Sequence, residues 1–128
     1  MIFGIGTDIV QVSRMQDNLT KHGERFAERI LADSEMARFL DHARPAQFLA
    51  KRFAAKEAVA KAFGTGFRDG LSLRHIEVIN DEHGRPLLQF KEMAQELAEK
   101  FHICESHLSL SDEPNYAIAF VVLECKSA

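Results

Sequence analysis

The sequence lacks long hydrophobic runs, a set of paired cysteines and a strong excess of charge of either sign. No apolar stretch approaches the roughly 20 residues that a membrane-spanning helix needs, so we expect no membrane association. The N-terminus has no basic region and reaches a charged residue early, which is not the pattern of a signal peptide. Cys104 and Cys125 have no metal-binding spacing, so we expect free thiols and a cytoplasmic protein.

The net charge of -3 excludes a general nucleic-acid-binding role, so any basic site must be local. The chain has 128 residues, enough for one domain with a core and too few for two. We find no internal repeat, low-complexity segment or linker. These observations predict a single domain spanning 1–128.

Apolar patterns place a strand at residues 2–12, with apolar side chains on both faces. A helix-prone region from Ser13 to about residue 40 is broken near Gly23 and near Ser34, and the two serines are possible N-caps. A central helix is predicted from Pro45 to residue 63, followed by a glycine-rich loop at 64–70. The remaining predicted elements are strands at 73–79, 86–90, 107–111 and 116–123 and a helix at 91–101. This order predicts an α+β fold, with a mainly antiparallel sheet packed against the long central helix.

The charges of the central helix lie where a simple amphipathic helix has apolar residues. Arg52 and Lys56 project from the middle of its broad apolar face, and Glu57 and Lys61 share a second line beside alanines. A helix without a clean polar side is usually buried, and buried charges need partners. We therefore expect an anionic partner, with a metal ion, near these side chains.

Asp8 shares a strand face with Gly6 and other small or apolar residues, so its carboxylate needs a cation or a basic partner. A structural ion pair or a turn cap would also explain it. Gly6 leaves room for a ligand beside Asp8. Glu57 and Lys61 form either a common i,i+4 pair or, with Asp8, a Mg²⁺ and phosphate site. Compensation of the helix dipole is a further explanation for Lys61.

His107, Ser109 and Ser111 alternate on one strand face, which suits either a solvated edge or a phosphate site. A hydrolytic triad is not expected, because no sharp nucleophile turn presents the serine.

Two motifs then coincide: Gly-Ile-Gly-Thr-Asp-Ile at 4–9 and Phe-Ala-Ala-Lys-Glu-Ala-Val-Ala-Lys-Ala-Phe-Gly at 53–64. With the segments at 25–31, 84–86, 107–111 and 116–119, the chain resembles the short, trimeric 4'-phosphopantetheinyl transferases over essentially its full length. The resemblance implies transfer of 4'-phosphopantetheine from coenzyme A to a serine of apo acyl carrier protein. Adenosine 3',5'-bisphosphate is released, and the product serves fatty acid biosynthesis.

The resemblance also implies roles for single residues. Asp8 and Glu57 would bind Mg²⁺, and Lys61 would contact the pyrophosphate, so Glu57 and Lys61 are the expected catalytic residues. The base is Glu57 itself or a metal-bound water, of which we prefer the water. The positions implied to hold nucleotide phosphates are Arg52, His107 and Ser109, with Gly64 beside the adenine end.

Homotrimers with sites between subunits are implied as well. Four basic residues match the region that binds the acidic carrier protein in this family: Arg14, Lys21, Arg25 and Arg29. Asp112 stands where many members have histidine, and we assign it no role. Two alternatives remain open from the residues alone: a Mg²⁺-dependent phosphohydrolase and a non-enzymatic module that binds coenzyme A or a nucleotide.

Overall fold

The computed structural model of the protein describes residues 1–126 and has the predicted α+β character. Its elements are β1 (Ile2–Gln11), α1 (Val12–His22), α2 (Glu24–Glu28), α3 (Asp33–Leu40), α4 (Pro45–Phe63), a 3-10 turn (Leu73–His75), β2 (Ile76–Asn80), β3 (Pro86–Phe90), α5 (Glu92–Lys100), β4 (Ile103–Asp112) and β5 (Tyr116–Cys125). Among the described helices, none combines the length and the apolar character needed to cross a membrane. Cys104 and Cys125 are free, as predicted.

Within residues 1–126, the strands form two antiparallel sheets rather than the one expected sheet. The larger sheet has the order β1-β5-β4, and β2 pairs only with β3. Strand β3 packs beside β4, but no hydrogen-bonded ladder joins them. Side-chain alternation predicts a strand but not which neighbour it pairs with, so this division was not visible in the sequence.

The ends of α4 follow local chemistry. Pro45 is in its first turn, and Gly64 ends it at φ 81°, donating its N–H to the carbonyls of Ala60 and Lys61. The predicted caps at Ser13 and Ser34 were wrong. Helices α1 and α3 begin after Gln11 and Ala32 instead, and neither of these makes a side-chain cap hydrogen bond.

Helix α4 lies directly against strand β1. A Cβ atom added at Gly4 would collide with the backbone carbonyl of Ala62, and one at Gly6 with that of Ala58. The glycines therefore permit a close helix–strand contact that any side chain would prevent. The expectation that the space beside Gly6 admits a ligand was wrong, because the helix backbone fills it.

The two faces of the three-stranded sheet differ. Residues 6, 121 and 108 form a row on the inner face, which packs on α4, whereas residues 7, 120 and 109 form a row on the outer face. The outer face exposes large apolar side chains: Ile5 is 58% exposed, Ile9 60% and Phe120 45%. The sheet thus has a buried side and an uncovered apolar side.

The buried charges of α4 find their partners inside the chain. Lys56 Nζ donates to Glu35 Oε1 at 2.6 Å and to the carbonyl of Leu73 at 3.1 Å. Glu35 also accepts from the N–H groups of Ala32 at 2.9 Å and Val78 at 3.1 Å. Burial lowers the pKa of Lys56, and the charge of Glu35 opposes that change. The pair joins α3, α4 and β2.

We expect Lys56→Met to cost about 3–5 kcal/mol of unfolding free energy, because it removes the closest cation from a buried carboxylate and leaves only the more distant Arg52, whose Nε lies 4.0 Å from Glu35 Oε2. Adding Glu35→Gln should recover part of the loss. Urea unfolding measures both changes. The control is Lys51→Met, on the half-exposed side of the same helix, whose unfolding free energy should stay within about 0.5 kcal/mol of the wild-type value. Equal stabilities of Lys56→Met and Lys51→Met would contradict a structural role for the pair.

Candidate active site

Asp8, Glu57 and Lys61 converge where α4 crosses β1. Lys61 Nζ donates to Asp8 Oδ1 at 3.1 Å and to the carbonyl of Thr7 at 2.9 Å. The Asp8 side chain is 17% exposed, whereas that of Lys61 is 54% exposed. Asp8 is therefore held within the fold, while the ammonium group can leave it without disturbing the core.

The pKa of Glu57 is raised, chiefly by burial and next by the negative charge of Asp8, with Lys61 acting in the opposite direction. Asp8 raises the pKa of Glu57 because two nearby carboxylates resist being ionised together. The two acidic side chains thus share one electrostatic environment.

Two structural constraints point Glu57 and Lys61 toward β1. On one side of α4, Ala58 and Ala62 lie against the strand glycines, and on another Lys56 is fixed to Glu35. At about 100° per residue, Glu57 and Lys61 fall on the arc between these contacts. The site is built on a helix whose rotation about its axis is fixed.

The side chains at this site supply only some of the ligands that a divalent cation such as Mg²⁺ needs. Within residues 1–126, no group of three or more His, Cys, Asp or Glu side chains is placed to hold a metal ion. Two carboxylates are nevertheless enough for Mg²⁺, which usually keeps several waters and takes further oxygens from substrate phosphates. The mutual repulsion of Asp8 and Glu57 fits a cation between them.

The structure directs Arg52 and Lys56 away from this cluster. The guanidinium of Arg52 is buried, donates to the carbonyl of Val78 at 2.7 Å and stacks over Phe48. Lys56 is fully buried against Glu35, so the anionic partner expected for it is a carboxylate of the same chain. Arg52 is likewise occupied within the core, so this geometry gives no support to its expected phosphate contact.

His107 and Ser109 are exposed on the outer face of the larger sheet. Asp8 lies on the inner face, in a row with residues 119 and 110. Within one chain, His107 and Ser109 are therefore on the opposite face of the sheet from Asp8. His107 Nε2 lies 2.7 Å from Glu124 Oε2, a neighbour that the sequence analysis did not identify. A single copy of the chain therefore does not bring these two expected phosphate-binding residues of β4 to the acidic pair, Asp8 and Glu57.

The other predicted site residues lie at the surface. Gly64 is exposed, and its loop follows Lys61 directly. Asp112, at the end of β4, lies 3.8 Å from Lys51 of α4. The basic positions on and after α1 and α2 are all exposed: Arg14, Lys21, Arg25 and Arg29.

Glu35 is the important residue that the sequence analysis missed. Its position three residues after Ala32 matches the helix-start pattern in which a glutamate accepts a backbone N–H. That pattern was available in the sequence, but the burial of Glu35 was not. The apolar setting of Arg52 and Lys56 was the only other signal that a carboxylate must lie nearby.

The raised pKa of Glu57 means that its ionised form destabilises the fold at neutral pH. We expect Glu57→Gln to raise the melting temperature by a few degrees at pH 7 without divalent cations. The gain should vanish as the pH falls below the ordinary glutamate value of about 4.3, where the side chain is protonated in both states. Scanning calorimetry measures this, with Glu96→Gln on the exposed side of α5 as the control. A lower melting temperature at pH 7 would contradict the electrostatic interpretation.

The chain is similar to known proteins both in sequence and in fold. The sequence profile of the 4'-phosphopantetheinyl transferase superfamily matches residues 4–121. A holo-[acyl-carrier-protein] synthase of Halorhodospira halophila is 55% identical over 96% of this chain and 98% of its own. The crystal structure of such a synthase from Neisseria meningitidis matches with a TM-score of 0.92 and 44% identity, over 97% of this chain and 99% of that one.

A third similar protein is the synthase from Bacillus anthracis, whose crystal structure is a complex with CoA (3',5'-ADP). It matches with a TM-score of 0.82 and 39% identity, over 98% of this chain and 99% of that one. These matches cover both the sheet and the helix that carry the candidate site. The chain therefore belongs to the 4'-phosphopantetheinyl transferase superfamily, among its holo-[acyl-carrier-protein] synthases.

Proposed function

We propose that this protein transfers the 4'-phosphopantetheine group of coenzyme A to a serine of apo acyl carrier protein. The observation that carries the proposal is the convergence of Asp8, Glu57 and Lys61 at the crossing of β1 and α4. The names of the similar proteins specify the carrier protein, and one of their structures holds CoA (3',5'-ADP). The product supports fatty acid biosynthesis.

Asp8 and Glu57 are the residues proposed to hold Mg²⁺. Their carboxylate oxygens are the ligand type that this ion prefers, and phosphate oxygens of coenzyme A would complete its coordination. When bound, the ion supplies positive charge that lowers the cost of negative charge developing on the phosphate oxygens.

The reaction forms a bond from the carrier serine oxygen to the β-phosphorus and breaks the bond from that phosphorus to the bridging oxygen. Adenosine 3',5'-bisphosphate leaves with the bond electrons. Lys61 would donate hydrogen bonds to the pyrophosphate and stabilise the charge on the leaving oxygen. The serine proton would pass to a neighbouring water, which we prefer as the base, or to Glu57 itself. A carboxylate that holds a cation is a weaker base, so the water is favoured.

We propose further that the active protein is a homotrimer with sites between subunits. His107 and Ser109 are proposed to hold nucleotide phosphates, yet within one chain they face away from Asp8. A second copy packed on the outer face of the sheet could supply them to the first copy's acidic pair. That face also exposes Ile5, Phe120 and other apolar side chains, the kind of surface that marks a protein interface.

The carrier protein is proposed to dock on the side formed by α1 and α2. Arg14, Lys21, Arg25 and Arg29 are all exposed there and could face an acidic partner. The proposed site also includes Gly64, whose loop continues from Lys61 and could lie beside the adenine.

We further propose that the chain acts as one domain in the cytoplasm. A continuous core joining β1, α4 and β2 and the two free cysteines support these assignments.

Incubation with coenzyme A, Mg²⁺ and apo carrier protein should add one phosphopantetheine mass to the carrier. Asp8→Asn should reduce the rate by at least about a hundredfold, since it removes a charged group from the reacting centre. Asp41→Asn, an exposed site at the end of α3, is the matched control. Intact-protein mass spectrometry measures the transfer. Nucleotide release without carrier modification would indicate a phosphohydrolase, and binding without turnover would indicate a non-enzymatic module.

Light scattering should give three times the mass of one chain. Phe120→Asp should dissociate the assembly and remove activity, because a buried unpaired carboxylate is costly at an interface. Leu87→Asp, which changes an exposed leucine of β3, should leave assembly and activity intact. A wild-type monomer with full activity would contradict a site shared between subunits.

A further inference from the structure

We infer that Lys61 is an internal counter-ion of Asp8 that makes binding of a divalent cation depend on the pyrophosphate of coenzyme A. The inference rests on the proposed function, because it concerns the same acidic pair. It adds an order to the events at the site: the ammonium group must leave Asp8 before a cation binds there well.

The ammonium of Lys61 is held at two points on β1. It contacts Asp8 Oδ1 at 3.1 Å and the carbonyl of Thr7 at 2.9 Å. Strand β1 is at the edge of its sheet, so this carbonyl is open to a side-chain partner. Two hydrogen bonds place the positive charge on one of the two Asp8 oxygens that could bind a metal ion.

The access to Asp8 is limited. Its side chain is only 17% exposed, because α4 covers the inner face of the strand. A divalent cation therefore either displaces the ammonium or binds the second carboxylate oxygen at a short distance from it. Repulsion between the two positive charges disfavours the second arrangement while no anion is present.

A pyrophosphate changes this balance. It brings negative charges that attract both the divalent cation and the ammonium, so the two can occupy the site together. Lys61 is 54% exposed and flexible enough to turn from Asp8 to a phosphate oxygen. Binding of the cation and of coenzyme A is then coupled, and each must raise the affinity of the other by the same factor.

The direct test is Mn²⁺ binding to protein freed of coenzyme A, followed by electron paramagnetic resonance. Lys61→Met should bind Mn²⁺ roughly two- to fivefold more tightly than the wild type, the change that loss of one partly exposed ion pair supplies. Lys61→Arg keeps the positive charge, so it should bind Mn²⁺ as weakly as the wild type does. Lys51→Met removes a lysine from the same helix away from Asp8, and should behave as the wild type.

A second experiment repeats the Mn²⁺ titration with a nucleotide ligand present. The Mn²⁺ that free coenzyme A binds is measured separately and subtracted. Coenzyme A should tighten Mn²⁺ binding more in the wild type than in Lys61→Met. Adenosine 3',5'-bisphosphate, which lacks the pyrophosphate, should tighten it little in either protein. Equal coupling in the two proteins would overturn the inference.

Asp8→Asn separates this inference from the proposed metal site. If Mn²⁺ binding requires Asp8 but Lys61→Met does not tighten it, only the counter-ion role of Lys61 is overturned. If Mn²⁺ binding is unchanged in Asp8→Asn, the metal site and the counter-ion role both fail. Loss of binding in Asp8→Asn together with tighter binding in Lys61→Met supports both.

Discussion

A fully buried ion pair between Glu35 and Lys56 holds the central helix in place. Both side chains are removed from water, and the hydrogen bonds of Glu35 reach the start of α3 and strand β2. Among the described residues, no buried side-chain nitrogen or oxygen is left without a hydrogen-bond partner. Because buried charges tolerate few alternative arrangements, the pair permits essentially one rotation of α4. Glu57, the next residue along the helix, then faces β1.

The opposite side of α4 is fixed by shape rather than by charge. Glycines in β1 and alanines in α4 let the two backbones approach closely, so a small rotation of the helix would produce a clash. The acidic pair and Lys61 lie between these two constraints. A reaction that depends on placing phosphate oxygens accurately benefits from groups on such rigid elements.

Local signals in the sequence predicted much of this structure. Pro45 and Gly64 define α4 correctly, since helix ends depend on nearby residues. A shared site for Asp8 and Glu57 was one of the alternatives that the charged residues left open, and it was the one that the family resemblance implied. The partner of Lys56 could not be predicted, because Glu35 lies 21 residues away and its burial requires α3 and β2 to be in place. The position of His107 on the opposite sheet face depends on strand pairing, which a single chain's alternation does not reveal.

The edge position of β1 has a consequence for how the protein resists misassembly. Unpaired backbone groups along an edge strand are a template on which a foreign strand can grow. At Thr7 that template is interrupted, because the edge carbonyl already accepts a bond from the ammonium of Lys61. An incoming strand would have to displace a hydrated positive charge, which is unfavourable. The same lysine therefore also discourages fibrillar aggregation.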